Sequence, residues 1–155
     1  MLKRTIKEMM NRDVQDRGND QIVRIQDELY DFNVSAEEAA KERGCYVVVP
    51  KANEVFIDID SEKDYQDFIR RFHNFSMVCC AIITKDIPSK SGLPHRHIYI
   101  DIMDKEGNPM ELDDWQRVAI QFTLGSDNVK ETLSVFRAIS GVECPSRFFE
   151  PKKDL

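Results

Sequence analysis

Val55-Phe56-Ile57-Asp58-Ile59-Asp60, followed by Ser61, is the stretch from which the rest of the chain can be read. Side chains alternate between the two faces of a β-strand. Val55, Ile57 and Ile59 therefore share one face, suited to burial against helices, and Asp58 and Asp60 share the other. Ser61 is placed to cap a helix. Tyr65, Phe68, Ile69 and Phe72 then recur at i, i+3, i+4 and i+7, which makes one apolar stripe along it.

Working toward the C-terminus, residues 77–84 are mostly apolar and read as a third strand, followed by a Ser/Lys/Gly/Pro loop over 88–94. Residues 95–102 read as a fourth strand. Ile98, Ile100 and Ile102 take its core face, and His95, His97, Tyr99 and Asp101 the other. Asp113 with Gln116 resembles a capping box. It opens a helix whose expected buried face is Trp115, Val118, Ala119 and Phe122 and which Gly125 stops. Ser126 or Asp127 caps the next helix, with Val129, Leu133 and Phe136 inward. Residues 147–150 read as a last short strand.

Toward the N-terminus, residues 45–49 form a β-branched run closed by Pro50, and the turn at 51–53 predicts a hairpin with 55–60. The order from residue 45 onward is ββαββααβ. It implies an α+β class, an antiparallel-rich sheet packed by helices on one face. Residues 45–155 are the expected core domain, and 1–44 an N-terminal helical extension. In that extension Ile22, Ile25 and Leu29 fall at helical spacing, Ser35 and Glu38 resemble a capping box for 36–43, and Gly44 ends the segment.

The bulk properties narrow the function classes. The chain has 155 residues, 41% hydrophobic and 32% charged, which is a globular composition. No apolar run approaches the roughly 20 residues that cross a bilayer. The basic start, Met1-Leu2-Lys3-Arg4, is not followed by an apolar signal core. The expectation is a cytoplasmic protein with no membrane partner. Cys45, Cys79, Cys80 and Cys144 form no C-x-x-C pair, so reduced core thiols are expected rather than a zinc ribbon or redox centre. The net charge of −6 argues against a general nucleic-acid coat. It leaves room for a local basic groove formed by Lys85, Lys90 and Arg96, or by Arg137, Arg147, Lys152 and Lys153. Scattered surface charge explains these residues equally well.

Candidate chemistry gathers on the polar faces of two strands. Adjacent outward carboxylates repel unless a cation lies between them. Asp58 and Asp60 therefore suit a hard divalent ion, Mg2+ or Mn2+. His95 and His97 share a strand face behind Ser89-Lys90-Ser91-Gly92, a loop able to offer N–H groups, hydroxyls and an ammonium to a phosphate. Asp127 reads as a helix N-cap or as a third acid. Arg137 reads as a bidentate phosphate ligand or as a partner of Glu131 or Glu143.

A D-x-D strand followed by Ser91-Gly92 and His97-Ile98-Tyr99-Ile100 resembles the archaeo-eukaryotic primase and primase-polymerase superfamily. That resemblance implies a primase-palm-like or RRM/ferredoxin-like scaffold and a role in DNA replication. Asp58 and Asp60, with Asp127, would hold the catalytic metal ions, and His97 would touch the phosphate of an incoming nucleotide. His95 stands outside that pattern, and no zinc-binding module accompanies it. The chain also looks like a group of short proteins encoded by tailed bacteriophages, with segments similar to 89–100 and 124–133. A phage origin implies the host cytoplasm.

The expected function is metal-dependent nucleotidyl or phosphoryl transfer on a nucleotide or nucleic acid. One alternative takes His95 and His97 as the metal pair of an H-x-H nuclease or nickase, which also needs a nucleophilic tyrosine, with Tyr65 and Tyr99 nearest in sequence. Another is a non-catalytic phage accessory protein that meets a protein partner through its N-terminal helices.

Overall fold

Alternation and helix capping account for most of the elements. The computed structural model describes residues 36–141 and 145–152. The chain divides into two compact units, Met1–Arg43 and Gly44–Leu155. In the first, the described element is helix α1 (Ala36–Glu42). The helical spacing of Ile22, Ile25 and Leu29, and the Ser35 cap, lie outside the described residues.

The second unit runs β1 (Cys45–Val48), β2 (Glu54–Ile59), α2 (Glu62–Ser76), β3 (Cys80–Pro88), β4 (Arg96–Met103), α3 (Asp114–Thr123), α4 (Asn128–Ile139) and β5 (Phe148–Pro151). It is an α+β fold of two antiparallel sheets packed by helices. One sheet has the order β2-β4-β3, and the other pairs β1 with β5. The expected hairpin between β1 and β2 does not form. Cys45 lies opposite Pro151 and Val48 opposite Phe148, while β2 takes β4 as its neighbour.

The three-stranded sheet buries its two faces differently. Val55, Ile57, Ile59, Ile98, Ile100 and Ile102 form the main core with Phe68 of α2 and Leu124 at the end of α3. This is the aliphatic face read from the alternation. On the opposite face Phe56 and Tyr99 pack with Phe148 of β5. The polar face of β2 and β4 is thus partly roofed by the small sheet.

Both main caps form as their residue types dictate. Ser61 accepts from Asp64 N, and Asp113 and Gln116 make a reciprocal capping box. The inward faces are rotated from those expected. On α2, Tyr65, Phe68, Phe72 and Phe75 pack on the core and Ile69 is exposed. On α3, Trp115, Ala119 and Phe122 face outward, while Arg117, Val118 and Gln121 are buried. On α4, Val129 and Leu133 are buried and Phe136 is half-buried.

The rotation of α3 follows from the edge of β2 that β4 leaves open. Strand N–H and C=O groups on an open edge need partners. Arg117 Nε donates to Glu54 O at 2.8 Å, and Phe56 N donates to Gln121 Oε1 at 2.9 Å. Asp58 N donates to Ser126 Oγ at 2.9 Å, and Asp127 N donates to Asp58 O at 2.9 Å. Polar side chains turn inward because they complete the strand.

The third strand begins later than expected. α2 ends at Ser76, and the N–H groups of Val78 and Cys79 both return to Phe75 O. The chain cannot extend until that turn is complete. Met77, Val78, Cys79 and Cys80 are consequently exposed, which corrects the expectation that Cys79 and Cys80 are core thiols. Cys45 is buried, and Cys144 lies outside the described residues. Among the described residues, no helix is long and apolar enough to cross a membrane.

Candidate functional site

Antiparallel register brings the two motifs together. Asp58 lies directly opposite His97 on the neighbouring strand. Side chains of directly opposed residues share a face of the sheet. His97 Nε2 stands 3.5 Å from Asp58 Oδ1, and His95 Nδ1 stands 3.2 Å from Asp60 Oδ1. Each histidine of the H-x-H thus faces one acid of the D-x-D.

The third acid arrives from the turn between α3 and α4. Gly125 has φ of +83°, a conformation that L side chains rarely adopt, and an added Cβ would lie 3.2 Å from Arg71 Cδ. That tight reversal, with the bond from Asp127 N to Asp58 O, sets Asp127 against β2. Oxygens of Asp58, Asp60 and Asp127 all lie within 4.8 Å of one another, and all three residues are half-buried. Asp127 is at the same time the N-cap of α4, its Oδ2 accepting from Lys130 N at 3.1 Å. The two sequence readings of this residue are therefore compatible.

His97 is almost wholly buried, at 8% exposure. Its Nδ1 is hydrogen-bonded to Glu150 Oε1, which also accepts from the Tyr99 hydroxyl at 2.8 Å. Its ring stacks on Phe148, with centroids 3.9 Å apart and planes 4° from parallel. Burial pushes the Glu150 carboxyl up. The hydrogen bond and charge of His97, with the Tyr99 hydroxyl, outweigh that and hold it below its ordinary range. Burial, reinforced by Glu150, raises the Tyr99 phenol strongly, so it remains a neutral donor. An ionised carboxylate only accepts, so Nδ1 carries the proton of its bond and the imidazole is fixed with Nε2 toward Asp58.

Glu150 and Lys130 escaped the sequence reading. The signal for Glu150 was its two-residue spacing from Phe148, which puts both on one face of β5. That face acquires meaning only once β5 lies over the three-stranded sheet. Lys130, in the first turn of α4, holds its Nζ 3.7 Å from the centre of the Phe148 ring. Lys85 Nζ lies 5.2 Å from the Tyr99 ring.

The proposed phosphate ligands separate into two groups. Ser89, Lys90, Ser91 and Gly92 lead directly into His95. Much of their backbone is already used, because Ser89 N donates to His95 O, Gly92 N to Ser89 O and His95 N to Gly92 O, at 2.9–3.0 Å. The hydroxyls of Ser89 and Ser91 are 3.0 Å apart. The loop therefore offers hydroxyls more readily than an open nest of N–H groups. Arg137 is not brought to the acids. Ten residues of helix separate it from Asp127, about 15 Å along the axis. Its buried guanidinium donates to Pro145 O at 3.4 Å.

Behind the acids lies a second, fully buried polar cluster. Glu131 is 1% exposed. It accepts from Gln121 Nε2 at 2.7 Å and from Ser126 Oγ at 3.0 Å. Gln121 Nε2 also donates to Ser146 Oγ at 3.1 Å. Burial pushes the Glu131 carboxyl up to about 7, against the pull of the Gln121 and Ser126 hydrogen bonds.

Chemically, three half-buried carboxylates form a hard oxygen donor set beside an imidazole of fixed orientation. Searches against protein-family models, curated proteins and solved structures find no match to this chain.

Proposed function

We propose that the chain is a metal-dependent nucleotide- or nucleic-acid-processing protein of the primase-polymerase type, working by nucleotidyl or phosphoryl transfer in the cytoplasm. The observation that carries this reading is the convergence of Asp58, Asp60 and Asp127 within 4.8 Å, with His97 Nε2 at 3.5 Å from Asp58. Three carboxylates suit Mg2+ or Mn2+, which prefer oxygen ligands. A bound ion would neutralise the acids and polarise a phosphoryl group. His97, backed by Glu150, presents Nε2 where a phosphate oxygen next to Asp58 would lie. Lys130, Lys85 and Lys90 add positive charge around an otherwise acidic chain, which suits a compact anion better than an extended duplex.

The reading is tested by calorimetry with a nucleoside triphosphate, with and without Mn2+. Wild type should bind only with the metal, and Asp58→Asn and His97→Ala should each lose about tenfold or more in affinity, the scale of one charge-assisted contact. Equal binding in all three proteins, or none in any, contradicts the proposal.

A further inference from the structure

Asp127 reaches the other two acids only because the turn between α3 and α4 is fastened to the open edge of β2. The fastening is polar and internal. N–H groups alternate in direction along a strand. Phe56 and Asp58 accordingly turn theirs away from β4, where Gln121 Oε1 and Ser126 Oγ accept them, each at 2.9 Å. Neither acceptor is oriented by its own bond alone. A side-chain amide can present either oxygen or nitrogen, and a hydroxyl rotates freely.

Glu131 removes that freedom. In its ionised form Glu131 accepts from the Gln121 amino group at 2.7 Å and from the Ser126 hydroxyl at 3.0 Å, so the oxygens of both are left to face β2. Gln121, Ser126 and Glu131 are each 1–2% exposed, so water does not substitute for any of these bonds. Buried polar groups tied together in this way are rigid and specific when every member has a partner. Asp127 follows Ser126 immediately and donates to Asp58 O at 2.9 Å. An error in the orientation of Ser126 therefore passes to both Asp58 and Asp127.

We infer that Glu131 is the positioning residue of the acid cluster: through Ser126 and Gln121 it locks the α3–α4 turn to β2 and sets the spacing of Asp127 from Asp58 and Asp60. The inference rests on the metal-binding reading of those acids. Glu131 itself touches no ligand; its effect is transmitted by one hydroxyl and one amide.

The test compares Mn2+ binding by calorimetry at about pH 8, where Glu131 is ionised, in wild type, Glu131→Gln, Ser126→Ala and Ser126→Thr, alongside thermal unfolding of each. Ser126→Ala removes a single oxygen, and Ser126→Thr restores the hydroxyl. Mn2+ affinity should fall about tenfold or more in Glu131→Gln and Ser126→Ala while unfolding stays cooperative, and should remain within about twofold of wild type in Ser126→Thr. Amide exchange at Asp58 should accelerate in the first two variants and not at Ile57, whose N–H faces β4 by alternation. Wild-type affinity in Ser126→Ala and Glu131→Gln overturns the inference and leaves the metal site standing. Absence of Mn2+ binding in wild type removes the metal reading and this inference together.

Discussion

Phe148→Ala should lower the stability of the protein by about 3–5 kcal/mol, the range for removing a fully buried phenylalanine. Phe148 is 0% exposed. Its ring stacks on Phe56 with centroids 4.6 Å apart, stacks on His97 at 3.9 Å and meets Tyr99 edge-on at 5.5 Å. It is the main apolar contact of β5 with the three-stranded sheet, so its neighbours cannot easily close the gap. The same substitution removes the surface against which the His97 ring rests. Loss of stability should therefore be accompanied by weaker triphosphate binding under conditions where the variant is still folded. Urea unfolding near neutral pH measures the first effect. A loss below about 1 kcal/mol would mean that the small sheet is not packed as described.

Glu131 should give the stability a pH dependence of unusual sign for a carboxylate. Its ordinary value is 4.5, and burial raises it to about 7 in the folded protein. Between those values the folded state holds a proton that the unfolded state has released. Stability must then fall as pH rises through this window and level off above it. The size is about 3 kcal/mol if the full shift is realised, at 1.36 kcal/mol for each pH unit. Glu150 acts in a different window. Its value is held below the ordinary range, so its contribution is present above about pH 4.5 and is lost only as the solution becomes more acidic. Unfolding free energies from about pH 5 to 8 should decline in wild type and lie nearly flat in Glu131→Gln. Parallel curves for the two proteins would show that Glu131 does not carry this linkage.

Much of this arrangement was legible in the sequence. Alternation over 55–60 and 95–102 separates the aliphatic face from the acid and histidine face. Which residue stands opposite which depends on register, and it is the structure that sets Asp58 opposite His97. Ser61, Asp113 and Asp127 announce their helices because their side chains bond locally, within three residues. What was hidden depends on distant parts of the chain. A four-residue strand such as β1 has almost no pattern with which to specify its partner, so sequence proximity suggested β2 where β5 is the neighbour. Arg117 and Gln121 look like surface residues until the open edge of β2 requires them. Trp115 and Phe122 are displaced outward for the same reason. Glu150 becomes a partner of His97 only when β5 packs over the sheet, about fifty residues away along the chain. Met77 and Val78 continue an apolar run that the end of α2 forces into a turn.

The most direct test of the site is a crystal structure of the wild-type chain grown with Mn2+ and a non-hydrolysable nucleoside triphosphate. Anomalous scattering locates the metal without reference to the protein chemistry proposed. The account predicts a Mn2+ peak bounded by the carboxylates of Asp58, Asp60 and Asp127, at about 2.2 Å from their oxygens. It also predicts a phosphate oxygen within about 3 Å of His97 Nε2. A metal bound elsewhere, a triphosphate that avoids His97, or an acid cluster that holds no metal at saturating Mn2+ would contradict it.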